Sequence, residues 1–284
     1  MAIPRISKVQ LGQLYSQMQG RNVNLQQSSV YLGLGVVMHM LGEDWIHHYV
    51  SQEAKFSNLL TLTNGGGEIE AGRQLRLADL AEVLFNLQNV SGFDECVERL
   101  KAGDIEATLA ELDLGRFLFL HSVVFRFVVP VSKKGSDYDV EITYPNGVIA
   151  CADAKCKVEG EFNSKTVENS LETARKQLPK NMPGIVFVKH PSSWAKEHFA
   201  ELRDLTFKFF RRTERIVSVI YYVQPFERRG DQLVHQHGYV EFSSPRTRFG
   251  DNVNWKLFPV GFLKNFEIPD RWQKILHHGG KDPD

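Results

Sequence analysis

Hydrophobic residues recur with a helical period along the first third of the chain, and this pattern predicts a mainly helical segment. The predicted helices cover residues 8–19, 28–40, 43–50 and 75–87. A glycine-rich stretch at 64–67 predicts a loop, and no Gly-Lys-Ser/Thr follows it, which excludes a phosphate-binding loop. We therefore expect residues 1–100 to form a helical N-terminal region.

The pattern changes after residue 100, where helical and strand-like periods alternate. A helix at 105–117 precedes an apolar, β-branched run at 123–129, and two strand-like runs then flank the turn Pro145-Asn146-Gly147. A helix at 165–178 ends before Pro179, and the apolar run 185–188 is typical of a buried strand. The predicted order is helix, strand, strand, strand, helix, strand.

The C-terminal third predicts further strands. Residues 194–212 have the pattern of one long helix, and three strands are predicted at 217–223, 233–242 and 253–258, before a short helix or tail at 271–277. Together these elements predict an α/β fold with a C-terminal β-rich extension. We expect two parts, the helical region at 1–100 and an α/β domain at 101–284.

Charged residues alternate along both strands of the predicted hairpin. Since side chains two residues apart share a face of a strand, the pattern places Asp139, Glu141, Asp153 and Lys155 on one surface. Carboxylates held this close repel one another unless a cation compensates them. Hard divalent cations such as Mg²⁺ or Mn²⁺ prefer these oxygen ligands. The alternative is a solvated hairpin face with modest cross-strand Asp–Lys support.

The element order and these residues resemble the PD-(D/E)xK nuclease superfamily, which has the restriction-endonuclease-like fold. That family carries an Asp at the start of the second core strand and an acidic-x-Lys triplet on the third. Asp139 matches the first position, and Asp153-Ala154-Lys155 matches the triplet. Gln177 resembles the glutamine that many members place on the following helix. The resemblance covers residues 105–190, Tyr138 stands in place of the family's proline, and the triplet begins with Asp instead of the commoner Glu.

The resemblance implies a metal-dependent nuclease that hydrolyses phosphodiester bonds, with DNA as the expected substrate. Asp139, Asp153 and the backbone carbonyl of Ala154 would hold Mg²⁺ or Mn²⁺, and Lys155 would position the attacking water or the phosphate. Glu141 would be an auxiliary ligand or orienting base on the same face, and Gln177 would support the site. Many members act as dimers to reach both strands, so a homodimer is implied as well.

A second hypothesis keeps the fold without catalysis, as a nucleic-acid-binding or protein-interaction module. A third rests on His235 and His237, which would share a strand face and bind a transition metal. The triplet alone is a poor signal, since Glu53-Ala54-Lys55 has the same form outside any predicted strand.

Composition narrows the class of protein. No run of about 18 apolar residues predicts a membrane span, and no apolar signal core begins the chain, so we expect a cytoplasmic protein without a membrane partner. Cys96, Cys151 and Cys156 are too few for a disulfide framework and predict free thiols.

The chain has 34 basic and 34 acidic residues, and its formal net charge is zero. This net charge does not exclude binding to nucleic acid. Binding needs only a local basic surface. One candidate surface is formed by Lys208, Arg211, Arg212, Arg215, Arg228 and Arg229. The alternative interpretation of these residues is a solvated helix face and a loop.

Overall fold

The computed structural model describes residues 3–18, 25–50, 68–129, 135–157, 161–229, 232–235, 237–250, 254–258 and 264–266. In these ranges the helices are α1 (Lys8–Met18), α2 (Leu25–Leu41), α3 (Glu43–Tyr49), α4 (Glu68–Leu87), α5 (Phe93–Lys101), α6 (Ile105–Leu120), α7 (Ser164–Gln177), α8 (Ser192–Glu197) and α9 (Phe199–Phe210). The strands are β1 (Val124–Phe127), β2 (Val140–Thr143), β3 (Ile149–Cys156), β4 (Gly184–Lys189), β5 (Ile216–Val223), β6 (Phe226–Arg229), β7 (Gln232–His235), β8 (His237–Ser243) and β9 (Lys264–Phe266).

A mixed open sheet forms the centre of the fold. Six strands lie in the order β1-β2-β3-β4-β5-β8, and the three-residue β9 pairs with β8 at the edge. The strands β1, β2 and β3 are antiparallel, β3, β4 and β5 are parallel, and β8 is antiparallel to β5. A separate hairpin joins β6 and β7. The predicted α/β class is therefore confirmed.

Helices cover both faces of the sheet. On one face, α6 packs against the even-numbered residues of β3, which are Ala150, Ala152, Ala154 and Cys156, and the N-terminal helices share the same core cluster. On the other face, α7 and α9 pack against Cys151, Val186 and Val188. Because both faces are covered, β4 and β5 are apolar almost throughout, as their sequences predicted.

Local sequence signals determine the β2–β3 turn and the two ends of α7, the elements on either side of the hairpin's charged residues. Gly147 has a φ of 81°, which only glycine adopts readily, and closes the β2–β3 turn with its N–H donating to the Tyr144 carbonyl at 2.8 Å. The Asn163 side chain caps α7 by accepting hydrogen bonds from the N–H groups of Lys165 and Thr166. Pro179 follows the extended residue Leu178 and stops this helix.

Several predicted elements were wrong in detail. The helix predicted at 194–212 is broken at His198, whose ring stacks on Phe162 with centroids 4.2 Å apart. The strand predicted at 233–242 is divided between β7 and β8. Helix α5 was not predicted, although its buried residues Phe93, Cys96, Val97 and Leu100 have helical spacing.

The strand predicted at 253–258 is absent from its described part, 254–258. There the backbone N–H groups of Leu257 and Phe258 donate to the buried Glu241 carboxylate, at 3.1 Å each, instead of to a strand. The predicted loop at 64–67 and helix at 271–277 lie outside the described residues. Among the described residues, every helix is too short or too polar to span a lipid bilayer.

Candidate metal and phosphate site

The β2–β3 pairing brings Asp139 beside the triplet Asp153-Ala154-Lys155. Val140 lies opposite Ala152, and the Asp139 N–H donates to the Ala152 carbonyl at 3.0 Å. Two residues further along β3, the Ala154 N–H donates to Oδ2 of Asp139 at 2.6 Å. The backbone therefore fixes the Asp139 carboxylate against β3 directly before β2 begins.

Asp153 is fully buried, so the alternative of a solvated hairpin face is wrong at this residue. Its Oδ2 lies 2.7 Å from Nζ of Lys155, and no described residue donates a hydrogen bond to its Oδ1. A buried carboxylate oxygen without a donor is costly, because nothing replaces its lost hydration. No donor among the described residues reaches Oδ1 of Asp139 either. Each carboxylate thus has one oxygen left for a further ligand.

Lys155 connects the triplet to the following helix. Its Nζ donates to Oε1 of Gln177 at 2.6 Å, in addition to its ion pair with Asp153. Gln177 is the last residue of α7, so the Asn163 cap and the Pro179 stop that define this helix also place its amide. The structure therefore places Gln177, which the resemblance singled out, in contact with the lysine of the triplet.

Burial and mutual repulsion perturb the two aspartates. Burial raises the pKa of Asp139 to about 7, and the charge of Asp153 adds to this effect while the Ala154 N–H opposes it. Burial also raises the pKa of Asp153 to about 6, although the ammonium of Lys155 opposes the rise. The fold therefore holds two carboxylates where ionising both is unfavourable without added positive charge.

The carbonyl of Ala154 faces the same side as the Asp139 carboxylate. In a β-strand the N–H and C=O of one residue point to the same neighbour, and the Ala154 N–H points to Asp139. At this position β2 pairing has ended, because Asp139 precedes the first residue of β2. The backbone oxygen is therefore on the strand edge that faces Asp139.

Glu141 does not join the two aspartates. Both of its carboxylate oxygens accept hydrogen bonds from Arg126 of β1, each at 2.8 Å, and the Tyr138 hydroxyl donates to Oε2 at 3.2 Å. These hydrogen bonds from Arg126 hold the pKa of Glu141 below its ordinary value. Strand alternation placed Glu141 on the correct face, but the cross-strand neighbour Arg126 engages it.

Glu111 of α6 is the third acidic residue near the site, and sequence reasoning missed it. It is buried and forms a two-point ion pair with Arg99 of α5. Burial raises the pKa of Glu111 to about 7, with a further contribution from the charge of Asp139, and Glu111 in turn raises the pKa of Asp153. The available signal was an acidic residue in the buried centre of an otherwise apolar helix.

The converging oxygens fit a hard cation that keeps part of its water shell. Within the described residues, no group of three or more His, Cys, Asp or Glu side chains is placed to hold a metal ion. Asp139 and Asp153 are close enough to raise each other's cost of ionisation, and Mg²⁺ commonly takes one or two carboxylates and completes its shell with water. Oδ1 of Asp153, buried and without a donor, is the atom that such an ion would satisfy.

The other candidate ligands take different positions. His237 begins β8 and its Nδ1 lies 2.5 Å from the Tyr222 hydroxyl, whereas His235 ends β7, so the shared strand face predicted for them was wrong. All three cysteines are free, as predicted, and burial raises the pKa of Cys151 to about 11. No protein-family model matches the chain, and no curated protein is significantly similar to it in sequence.

Proposed function

We propose that this chain is a metal-dependent nuclease that hydrolyses phosphodiester bonds in DNA. The carrying observation is the convergence of Asp139 and Asp153, each with one oxygen that no described residue engages, next to the lysine of the same triplet. The proposal includes membership of the PD-(D/E)xK superfamily and a cytoplasmic location.

The strand arrangement supports the proposed restriction-endonuclease-like core. The segment α6-β1-β2-β3-α7-β4 has the element order that the resemblance implies, with β1, β2 and β3 antiparallel and β4 parallel to β3. The site lies on β2 and β3, with α7 beside it, as the resemblance also implies. This agreement supports the assignment of roles residue by residue.

Each residue of the candidate site would have a distinct role in hydrolysis. Asp139, Asp153 and the Ala154 carbonyl would hold the cation, which when bound supplies an activated water and neutralises charge on the phosphoryl oxygen. Lys155 places its ammonium at the same point, where it can orient that water or contact the scissile phosphate. Gln177 fixes the position of Lys155 by accepting its hydrogen bond. Glu141 remains an auxiliary residue, because Arg126 engages both its oxygens.

Cleavage of plasmid and linear DNA, and of RNA for comparison, with Mg²⁺ or Mn²⁺ tests the proposal. We expect Asp153→Asn and Lys155→Met each to lower the cleavage rate by about a hundredfold or more, since each removes a group that acts on the reacting phosphate. Glu141→Gln should lower it by about tenfold or less, and the exposed Asp204→Asn should leave it unchanged. Circular dichroism and urea unfolding establish that each variant is folded.

Two outcomes would contradict this function. Equal cleavage by the wild type, Asp153→Asn and Lys155→Met would trace the activity to a contaminant. A wild-type protein that cleaves neither DNA nor RNA with either metal would exclude hydrolysis.

The inactive module is the second candidate, and one observation favours it. Nζ of Lys155 lies on Oδ2 of Asp153, and no third acidic side chain of the described residues completes a metal cluster. Calorimetric titration with Mn²⁺ separates the two functions. The nuclease should bind Mn²⁺ and lose binding in Asp139→Asn, whereas a module without metal should show no binding in either protein.

A further inference from the structure

A basic groove lies at the C-terminal ends of α7 and α9. Its volume is about 450 Å³. Thr213 and Glu214 contribute to its lining, and the remaining lining residues are the cations Arg175, Lys180, Arg211, Arg212, Arg215 and Arg248. Three of them, Arg211, Arg212 and Arg215, belong to the basic surface suggested by the sequence. Of the other members of that surface, Lys208 pairs with Glu168 at 2.7 Å, and the side chains of Arg228 and Arg229 lie outside the described part of the structure.

The positive charge of this groove is poorly compensated. Among the described residues, no carboxylate lies within ion-pair distance of Lys180, Arg211, Arg212 or Arg248, while Arg175 pairs with Glu172 at 2.7 Å. The chain as a whole is neutral, so this is a local excess rather than a reflection of composition. Such a concentration of like charge attracts anions.

The groove is built on ordered backbone. Nη1 of Arg215 donates to the Leu178 carbonyl at 2.9 Å, and its Nη2 donates to the Arg175 carbonyl. These bonds hold the first residues of β5 against the end of α7. Burial lowers the pKa of Arg215, and the charges of Arg175 and Arg248 lower it further, which shows that the cations are held close enough to repel one another. Binding an anion would relieve this repulsion.

The groove also lies close to the proposed chemistry along the chain. Gln177, which contacts Lys155, is three residues before Lys180. Three residues span at most about 11 Å between Cα atoms, equivalent to about three nucleotide steps of one strand. A strand that runs from Lys155 along the end of α7 would therefore be led toward the groove.

We propose that this groove binds the sugar–phosphate backbone of the nucleic acid and guides it to the candidate site. The inference rests on the proposed function, because it takes the substrate strand of that site as its ligand. Arginine presents planar donors that bind phosphate oxygens in pairs. Protein interfaces usually carry aromatic or aliphatic residues at their centre, and every residue that lines this groove is polar or charged. Nucleic acid therefore fits it better than an acidic protein does.

Fluorescence anisotropy with labelled duplex and single-stranded DNA tests the groove in the full chain, with a chelator present so that no cleavage occurs. The test variants are Arg211→Ala/Arg212→Ala on one wall and Lys180→Glu on the other. The control Lys101→Ala/Arg203→Ala removes two positive charges from solvent-accessible positions outside the groove. We expect the double groove variant to weaken binding about tenfold or more and to reduce the slope of log K against log salt by about 2. The control should stay within about twofold of the wild type.

Several outcomes would overturn the proposal. Wild-type binding retained within about twofold in both groove variants would show that DNA lies elsewhere. Absence of wild-type binding to either DNA would also refute it. Polyglutamate that binds as tightly as DNA and displaces it would identify a general acidic-protein surface instead.

The experiment also separates this inference from the nuclease itself. If the groove variants bind DNA more weakly but the wild type shows no metal-dependent cleavage, the groove binds DNA and the proposed nuclease function is refuted. If cleavage depends on Asp153 but the groove variants bind DNA as the wild type does, the nuclease function is supported and the role of the groove is refuted. In each case urea unfolding of the groove variants excludes loss of structure as the cause.

Discussion

For the two aspartates of the candidate site, the sequence predicted the strand face on which each lies but not the pKa of its side chain. Strand alternation predicted that Asp139 and Asp153 share a face, because this depends only on the period of two. Their raised pKa values, about 7 and about 6, result mainly from burial, which the period of two does not show. Glu111 was missed for the same reason, since only packing brings α6 to this end of the sheet.

At the residue scale, the raised pKa of Asp139 predicts an unusual pH dependence of stability. Between about pH 4 and pH 7 the folded state holds a proton that the unfolded chain has released, so the free energy of unfolding falls as pH rises through this window. Asp139→Asn removes that proton equilibrium and can still accept the Ala154 N–H. We expect this variant to match the wild type near pH 4 and to exceed it by on the order of 1 kcal/mol near pH 8.

Urea unfolding in chelator at several pH values measures this difference. Adding Mg²⁺ near pH 8 should raise the stability of the wild type but not that of Asp139→Asn, because the cation compensates the paired carboxylates only in the wild type. Asp204→Asn is the control, since 70% of its side chain is exposed. Parallel pH profiles for the wild type and Asp139→Asn would contradict the burial of this charge.

At the element scale, the junction between α5 and β1 holds the N-terminal helices on the sheet. The Phe127 N–H donates to the Ser91 carbonyl at 2.9 Å, and Gly92, the N-cap residue of α5, has a φ of 82°. A Cβ at Gly92 would lie 2.1 Å from the Phe127 carbonyl oxygen. Arg99 of α5 also donates a hydrogen bond to Glu111, which lies near the two aspartates. The junction therefore connects the helical region to the surroundings of the site.

Gly92→Ala should therefore destabilise the protein by about 3 kcal/mol or more, through both backbone strain and overlap with β1. Gly147 offers a matched control, because its φ is 81° and a Cβ added there would meet no described atom within 4 Å. Gly147→Ala should cost only the strain of the left-handed conformation, about 1–2 kcal/mol. Urea unfolding compares the two variants, and equal losses would argue against the close contact at Gly92.

At the scale of the whole molecule, one core joins the helical region to the sheet. A single cluster of buried residues extends from Leu11 and Leu84 through Phe93 and Leu112 to Phe187. The predicted division at residue 100 marks a change of sequence pattern. Whether the two parts on either side of it fold independently can be tested.

We expect residues 102–284 alone not to unfold cooperatively, because removing α1–α5 would expose the apolar face of α6 to water. Urea unfolding followed by circular dichroism, together with binding of a hydrophobic dye, measures this. Adding residues 1–101 as a separate fragment should restore cooperative unfolding and lower dye binding. A fragment 102–284 with a sharp transition of its own would establish two independent domains.

The sequence by itself determined the order of the central elements and the hairpin with its charged face. These features depend on local quantities: apolar periodicity, the Pro145-Asn146-Gly147 turn, and the breaking effect of Pro179. The family resemblance, not spacing, singled out Gln177, and in the structure its amide oxygen accepts a hydrogen bond from Lys155.

Only the tertiary structure decided which of the charged residues act together. It buried Asp153, paired Glu141 with Arg126, brought Glu111 near the aspartates, and gathered arginines from separate elements into one groove. It also divided the predicted helix at His198, whose ring stacks on Phe162. These outcomes depend on contacts between residues distant in sequence, whose energies no local pattern encodes.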